Sequence, residues 1–138
     1  SDVTRLADPA IVFPKVPKGA GGLSVPADLL FAFDSARLSP AGQSYLDIML
    51  QQIKRQGRTI TEVIGHTDAV GSKLYNMGLS QHRAAAVQSY LASRGFTNVR
   101  AIGVGEADPA CSPQYTPAGA PIESCMAQDR RVQINLGG

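Results

Sequence analysis

Residues 65–91 read GHTDAVGSKLYNMGLSQHRAAAVQSYL, and this stretch carries the most information about the fold. The acid Asp68 lies in a loop bounded by glycines, and Arg83 follows it fifteen residues later on the opening turns of a predicted helix. A carboxylate and a guanidinium held a few ångströms apart can bind an ammonium and a carboxylate that share one carbon. The stretch therefore predicts a ligand-binding loop followed by a helix, with a site for the charged end of an amino acid.

Four strands are predicted around this stretch. The apolar run 29–33 is typical of a buried strand, and residues 59–64 are rich in the β-branched side chains that strands favour. Residues 99–104 are a third candidate. Residues 131–136 alternate between polar and apolar types, which predicts that they close the sheet as its last strand.

Two helices are predicted between the strands. Ser39 and Pro40 are typical of a helix start, because Ser caps free backbone N–H groups and Pro fits the first turn. Apolar side chains then recur at helical spacing and predict a buried face: Leu46, Met49, Leu50 and Ile53. The second helix is predicted over residues 80–94, with Ser80 as its cap and Gly95 as its terminator.

The predicted order is β-α-β-α-β-β, an α/β (α+β) sandwich in which a mixed sheet carries its helices on one face. Right-handed crossovers place the loops after the first two strands at one edge of the sheet. These loops carry Asp34 and Asp68. Function in α/β sheets gathers at that edge, so we expect the site there.

The first part of the chain differs from the rest. Residues 1–25 contain several prolines and the glycine-rich run 19–22, and they predict a linker or a loosely packed N-terminal arm in which residues 11–13 are a candidate strand. One folded domain is predicted over residues 26–138. The chain has no secretion signal at its start, as expected of a mature fragment.

The composition is that of a folded globular protein. The chain has 138 residues, of which 43% are hydrophobic and 17% are charged, enough for one domain with its own core. A net charge of +2, without a basic run or a ladder of aromatic residues, predicts no binding to nucleic acid. No apolar stretch approaches the roughly 18 residues of a membrane-spanning helix, so membrane attachment is expected only through another part of the parent protein.

Two cysteines, Cys111 and Cys125, flank a segment rich in Pro, Gly and Ser. A disulfide between them would close a loop of about 15 residues and stabilise the fold by about 3 kcal/mol. This pairing is favoured over the alternative of two free thiols, because both lie around one loop and no Cys-x-x-Cys motif occurs. A disulfide would indicate an oxidising compartment.

Short pieces of sequence match a known family in order along the chain: Phe31-Ala32-Phe33-Asp34-Ser35, Gly65-His66-Thr67-Asp68, Gly71, Tyr75-Asn76, Leu79-Ser80, Arg83-Ala84, Val87, Gly103-Val104-Gly105-Glu106 and Arg130-Arg131-Val132. With these pieces the chain resembles the OmpA-like C-terminal peptidoglycan-binding domain family, of the OmpA, Pal and MotB type, over roughly residues 28–136. The resemblance implies a non-enzymatic module in the periplasm of a Gram-negative bacterium, tethered to the outer membrane. Its implied partner is peptidoglycan, bound through the diaminopimelate of the stem peptides.

The resemblance implies that Asp68 accepts hydrogen bonds from the ligand ammonium and that Arg83 binds the ligand carboxylate. Asp68 has the alternative of bracing its own loop. Arg83 has the alternatives of a solvated helix residue or an ion pair with Asp68. A cation near the start of a helix is disfavoured by the helix dipole, so a bound carboxylate would compensate Arg83, and the guanidinium fork suits that task.

The other predicted ligand-binding residues lie in the neighbouring loops and the second helix: Thr67, Asn76, Leu79, Phe33, Asp34, Ser35 and Arg130. Asn76 has the alternative of bracing the loop, and Leu79 that of being core. Asp34 has the alternative of pairing with Arg37. Arg130 and Arg131 point to opposite faces by strand alternation, and Arg130 is the one predicted to reach the site.

Two other classes of function are left as alternatives: a protein-interaction module of an envelope complex, and a cell-wall hydrolase using Asp68 with His66. No nucleophile or metal set completes the second. A zinc site from the two histidines and the two cysteines lacks a recognised ligand spacing, so no metal or cofactor is predicted, and His66 is expected to brace the loop by hydrogen bonds.

Residues 110–126, called the insertion below, form a segment that is longer than usual in the family. Three alternative roles are open for it: shielding the pocket, recruiting a partner or adding stability.

Overall fold

The computed structural model describes residues 14–138, and within this range the chain forms four strands and four helices. In chain order they are β1 (Gly22–Pro26), α1 (Ala27–Leu30), α2 (Pro40–Arg55), β2 (Thr59–His66), α3 (Lys73–Ser93), β3 (Arg100–Gly105), α4 (Glu123–Asp129) and β4 (Arg131–Gly137). The predicted fold class, a mixed sheet with helices, is confirmed.

The four strands form one sheet in the order β1-β4-β2-β3. β4 runs antiparallel to both β1 and β2, whereas β2 and β3 are parallel. Pro26 and His66, the last residues of β1 and β2, both pair with Arg131 at the start of β4, and Gly105 at the end of β3 pairs with His66. One end of the sheet, where three strands finish and β4 begins, is defined by four residues: Pro26, His66, Gly105 and Arg131. This end is called the site edge below.

The core lies between one face of the sheet and the long helices. The alternate residues Val132, Ile134 and Leu136 of β4 are buried against it. The predicted buried face of α2 is confirmed: Leu46, Met49, Leu50 and Ile53 are all at most 3% exposed. The apolar stripe of α3 completes the core with Ala84, Val87 and Leu91. The opposite face of β4 carries the polar residues Gln133 and Asn135.

Helix α3 crosses the sheet where two strand residues are glycine. A Cβ added at Gly65 would lie within 3.0 Å of the backbone of Ser80, and one added at Gly103 would lie equally close to the backbone of Gln81. The hydroxyl of Ser80 accepts a hydrogen bond from the N–H of Gly105 at 2.9 Å inside this contact. The two glycines therefore set how closely α3 approaches the site edge.

The predicted first strand, residues 29–33, is wrong. The run instead begins in α1, and Phe31 forms only an isolated bridge with Leu38. Phe33 is 99% exposed in the loop that follows. Leu30 and Phe31 are both buried, Leu30 against Gly42 of α2 and Phe31 beside the Arg83 guanidinium of α3. An apolar run can be buried in this way in a helix as well as in a strand.

The first strand lies upstream, in residues that the sequence assigned to the arm. β1 is an edge strand, and Val25 is its one fully buried apolar residue, so its pattern is too weak to stand out. The predicted boundary between residues 25 and 26 falls inside this strand. The described part of the arm packs on α2, because the Gln52 side chain accepts from Val16 N–H at 2.8 Å and donates to Pro14 C=O at 2.7 Å. The candidate strand at residues 11–13 lies outside the described residues.

The predicted start of the second helix is also wrong. α3 begins at Lys73, where the hydroxyl of Ser72 accepts from the N–H of Tyr75 at 3.0 Å. Ser80 is fully buried inside the helix and donates to the carbonyl of Met77. Arg83 consequently lies in the middle of α3, where the helix dipole does not disfavour its positive charge.

Candidate functional site

Asp68 lies in the loop that follows β2 at the site edge. Its Oδ1 accepts from the N–H of Val70 at 3.0 Å, and its Oδ2 pairs with Nη1 of Arg130 at 2.9 Å. The side chain keeps 15% of its surface exposed. A carboxylate has about four lone-pair positions, so this group can still accept a further hydrogen bond from a ligand.

Arg130, the residue between α4 and β4, forms ion pairs with three acids. It pairs through Nε with Asp28 at 3.1 Å and through Nη1 with Asp68, and its Nη2 pairs with Glu123. Burial alone would lower the pKa of the Arg130 guanidinium, but the hydrogen bonds that it donates to the three carboxylates outweigh burial and raise that pKa. Arg130 thus reaches Asp68, whereas Arg131 pairs with Asp129 at 2.9 Å.

Arg83 is a buried cation, with 6% of its surface exposed. Its Nε donates to the carbonyl of Ser35 at 2.8 Å, its Nη2 donates to the carbonyl of Ala32 at 3.5 Å, and the guanidinium lies 5.0 Å from the centre of the Phe31 ring. Among residues 14–138, Arg83 has no ion pair, and its Nη1 donates no hydrogen bond.

The charges near Arg83 are acidic. Burial lowers the pKa of the Arg83 guanidinium, and the charges of Asp28, Asp34 and Asp68 oppose that change. The ion pair between Asp68 and Arg83, one of the alternatives from the sequence, does not form, since Asp68 pairs with Arg130 instead. What the fold brings together is a buried guanidinium with one unused amino group and a nearby, partly exposed carboxylate.

The loop between α1 and α2 carries three of the predicted ligand-binding residues. Ser35 contacts Arg83 through its carbonyl, and its hydroxyl accepts from the N–H of Arg37 at 3.0 Å. Asp34 adopts a left-handed backbone conformation, with φ of 57°, and is exposed. In the part of the chain that the structure describes, no ion pair joins Asp34 to Arg37. The exposed Phe33 lies on this same loop.

Asn76 and Thr67 hold the Asp68 loop in shape. Asn76 is 3% exposed, and its Nδ2 lies within hydrogen-bond distance of the carbonyls of Asp68 and Val70 and of the carboxylate of Glu106. The Thr67 hydroxyl donates to the carbonyl of Asp68 at 2.9 Å. The amide of Asn76 is thus engaged in bracing the loop. Leu79 is half-buried on α3, one turn before Arg83.

Sequence reasoning missed Asp28 and Glu123, the acids that hold Arg130. Asp28 lies beside the apolar run whose pattern predicts a strand, and Glu123 lies in α4, inside the insertion, where the sequence predicts no helix. The only indication in the sequence was Arg130 itself. An arginine that becomes partly buried needs acidic partners, but the sequence does not show which acids these are.

Comparison with known proteins assigns the family. The sequence pattern of the OmpA family matches residues 30–118 of the chain, which include both Asp68 and Arg83. The chain belongs to the OmpA family. Outer membrane protein A of Citrobacter freundii is 39% identical in a 120-residue alignment that covers 81% of this chain and 50% of that protein. The chain therefore spans about half the length of this OmpA-family relative.

Two solved structures share the fold. A putative MotB-like protein from Desulfovibrio vulgaris superposes with a TM-score of 0.70 at 26% identity, covering 83% of this chain and 71% of that one. The peptidoglycan-associated lipoprotein from Burkholderia pseudomallei superposes with a TM-score of 0.62 at 27% identity, covering 96% and 98%. The OmpA-family chain shares the architecture of both proteins.

The structure joins the two cysteines of this OmpA-family domain, Cys111 and Cys125, in a disulfide. Within residues 14–138, no three His, Cys, Asp or Glu side chains cluster in a way that would hold a metal ion. In the same range, no helix has both the length and the apolar character that crossing a membrane requires.

The expected bracing role of His66 is wrong. The side chain is 2% exposed, and neither ring nitrogen has a hydrogen-bond partner among the described residues. Burial lowers the pKa of His66 below its ordinary value of 6.5, and the charge of Arg131 lowers it further. The charges of the Asp108 and Asp129 carboxylates oppose the change without reversing it.

The stability of the OmpA-family domain is expected to fall as the pH drops below about 6.5. His66 binds a proton more readily in the unfolded chain than in the fold, so its contribution is complete above the unfolded pKa and is lost as the pH falls toward the folded pKa. The loss amounts to about 1.4 kcal/mol for each unit by which folding lowers the pKa.

Urea unfolding from pH 7.5 to pH 5, compared between wild type and His66→Phe, measures this contribution. The variant should have a shallower pH dependence of unfolding free energy than the wild type. Equal slopes for wild type and His66→Phe would contradict the prediction.

Proposed function

We propose that this domain binds peptidoglycan noncovalently through the diaminopimelate of its stem peptides, and that it anchors an envelope protein to the cell wall from the periplasm. The observation that carries the proposal is Arg83, a buried guanidinium with an unused amino group and no acidic partner among residues 14–138. Membership of the OmpA family supports it, and so does the shared fold with a protein named peptidoglycan-associated lipoprotein.

A buried cation without an ion pair is costly unless an anion reaches it. The Nε and Nη2 groups of Arg83 are fixed by the carbonyls of Ser35 and Ala32, so the guanidinium is held in place before a ligand arrives. A ligand carboxylate at Nη1 would supply the missing charge. Because the protein group is already ordered, little conformational entropy is lost on binding.

The acids around Arg130 favour the ligand ammonium. Asp28, Asp68 and Glu123 carry three negative charges against the single positive charge of Arg130. This excess attracts a cation to the exposed side of Asp68, although Arg130 already pairs with the carboxylate. The end of a diaminopimelate side chain offers an ammonium and a carboxylate on one carbon, which matches Asp68 and Arg83 together.

The expected affinity is modest. A charge-assisted hydrogen bond contributes about 1.5–3 kcal/mol, so two of them contribute about 3–6 kcal/mol. These energies correspond to dissociation constants from several millimolar to tens of micromolar. Such weak binding suits an anchor, because the wall presents many stem peptides at high local concentration. Attachment to the outer membrane would come from a part of the parent protein beyond this domain.

Replacing either charge is expected to weaken binding of a diaminopimelate-containing stem peptide by about 10- to 100-fold, since each replacement removes one charge-assisted contact. The variants are Asp68→Asn and Arg83→Gln, and isothermal titration measures their dissociation constants. Asp47→Asn and Arg94→Gln are matched controls, because Asp47 and Arg94 form an exposed ion pair at the far end of α3. Both controls should bind as wild type does.

A stem peptide with lysine in place of diaminopimelate is expected to bind poorly, because its side chain lacks the carboxylate for Arg83. Purified sacculi should retain the domain, and free diaminopimelate should release it. Undiminished binding by both Asp68→Asn and Arg83→Gln would remove the proposed site. Retention on sacculi that diaminopimelate does not reverse would show that the wall is bound through another group.

A further inference from the structure

The start of the insertion is folded onto Asp129, a carboxylate that is 1% exposed. The N–H groups of Ala110 and Cys111 donate to it, and the side-chain amide of Gln114 donates to its Oδ2 at 2.6 Å. Arg131 pairs with Oδ1 and balances its charge. One buried acid therefore fixes the first residues of the insertion against the site edge.

Gln114 connects Asp129 to the Asp68 loop. Its Oε1 accepts from the N–H of Ala69 at 2.7 Å, and Ala69 directly follows Asp68. A carboxylate only accepts hydrogen bonds, so the amide NH₂ of Gln114 must face Asp129, and Oε1 is then turned toward Ala69. The side chain is 8% exposed, so water competes little for either bond.

The disulfide ties a second contact to the same loop. Cys125 belongs to α4, and its bond to Cys111 links this helix to the segment that carries Gln114. Glu123, in the first turn of α4, pairs with Arg130, which in turn pairs with Asp68. Both routes from the insertion to Asp68, one through Gln114 and one through Glu123, thus begin within three residues of a cysteine of the disulfide.

We propose that Gln114 is a positioning residue for ligand binding: it holds the peptide group after Asp68 so that the carboxylate faces the ligand, and the disulfide keeps Gln114 in place. This inference rests on the proposed function and assigns a role to the insertion. The Asp68 loop has an exposed tip at Val70 and Gly71, so without the bond its conformation would be less restricted.

Amide hydrogen exchange of ligand-free protein tests the brace without reference to any ligand. The Ala69 N–H should be protected in the wild-type domain, and the protection should fall at least about tenfold in Gln114→Met, which keeps the size of the side chain but removes both bonds. The Cys111→Ala/Cys125→Ala domain should show a similar loss. An Ala69 amide that exchanges at the unprotected rate in the wild-type domain would overturn the brace, and this measurement needs no variant to fold.

Titration with the diaminopimelate stem peptide tests positioning. Gln114→Met is expected to raise the dissociation constant about 5-fold, or about 1 kcal/mol. Gln88→Met is the matched control, because Gln88 is half-buried and its side-chain amide likewise donates a hydrogen bond, to the carbonyl of Val99, away from the site edge. It should bind as wild type does. Wild-type affinity in a folded Gln114→Met domain would overturn the positioning role alone. A wild-type domain that fails to bind the peptide would instead overturn the proposed function.

Discussion

The substitution Gly103→Ala is expected to destabilise the domain by about 3 kcal/mol, the upper end of what overpacking usually costs. The added methyl group would lie within 3.0 Å of the backbone N and Cα of Gln81 in α3, closer than real Cβ atoms come. Backbone atoms cannot turn aside as a flexible side chain can, so the whole helix would have to move away from β3. With typical stabilities of about 5–15 kcal/mol, this is a large fraction of the total.

Urea unfolding of Gly103→Ala against Gly78→Ala measures the effect of the contact itself. Gly78 also lies on α3, but a Cβ there would meet nothing within 4 Å, so Gly78→Ala should stabilise the helix by about 0.5–1 kcal/mol. Because α3 also carries Arg83, the folded fraction of Gly103→Ala should bind the stem peptide more weakly than wild type. A Gly103→Ala domain as stable as wild type would contradict the contact between α3 and β3.

The second large effect is expected for Asp129→Ala, which should cost about 3–5 kcal/mol. The substitution leaves Arg131, 14% exposed, without its ion-pair partner. It also leaves the backbone N–H of Cys111 and the amide of Gln114 without the carboxylate that accepts from them. A buried donor or charge that loses its partner destabilises the fold by more than the original pair stabilised it. The expected loss of unfolding free energy is large for this reason.

Asp47→Ala is the control for Asp129→Ala. Asp47 pairs with Arg94 at 2.9 Å, but both side chains are more than 40% exposed, so this pair should contribute only about 0.2–1 kcal/mol. Thermal or urea unfolding of the two variants compares a buried and an exposed carboxylate of similar pairing. Equal losses of unfolding free energy would show that Asp129 does not hold the start of the insertion in place as described above.

The sequence predicted best the features whose signals are local. α2 was found because Ser39 caps it, Pro40 occupies its first turn, and its apolar residues recur every three or four positions. β2, β3 and β4 were found within two residues of their observed bounds by side-chain type and alternation. Asp68 and Arg83 could be named because their motif lies within one continuous stretch.

The predictions that were wrong depended on distant neighbours. Ser72 and Ser80 are chemically equal candidates for the cap of α3, and Ser80 is buried in the helix because Gly65 and Gly105 meet it from the sheet. The apolar run 29–33 could be buried in either type of element, and the contact of Leu30 with Gly42 of α2 decides which one forms. β1 has only a weak alternation of apolar and polar side chains because it is an edge strand and buries only one side chain, that of Val25.

Capping, periodicity and motif spacing act over a few residues, so the amino-acid order alone was enough to specify α2, the later turns of α3, three of the four strands and the two charged groups of the candidate site. The partners of those groups lie far along the chain: Arg130 reaches Asp68 across 62 residues, and the carbonyl of Ser35 reaches Arg83 across 48. These meetings follow from the strand order β1-β4-β2-β3, which brings the ends of three strands and the start of the fourth to one edge. Charges separated in sequence have no local pattern, and their pairing exists only once the sheet has assembled.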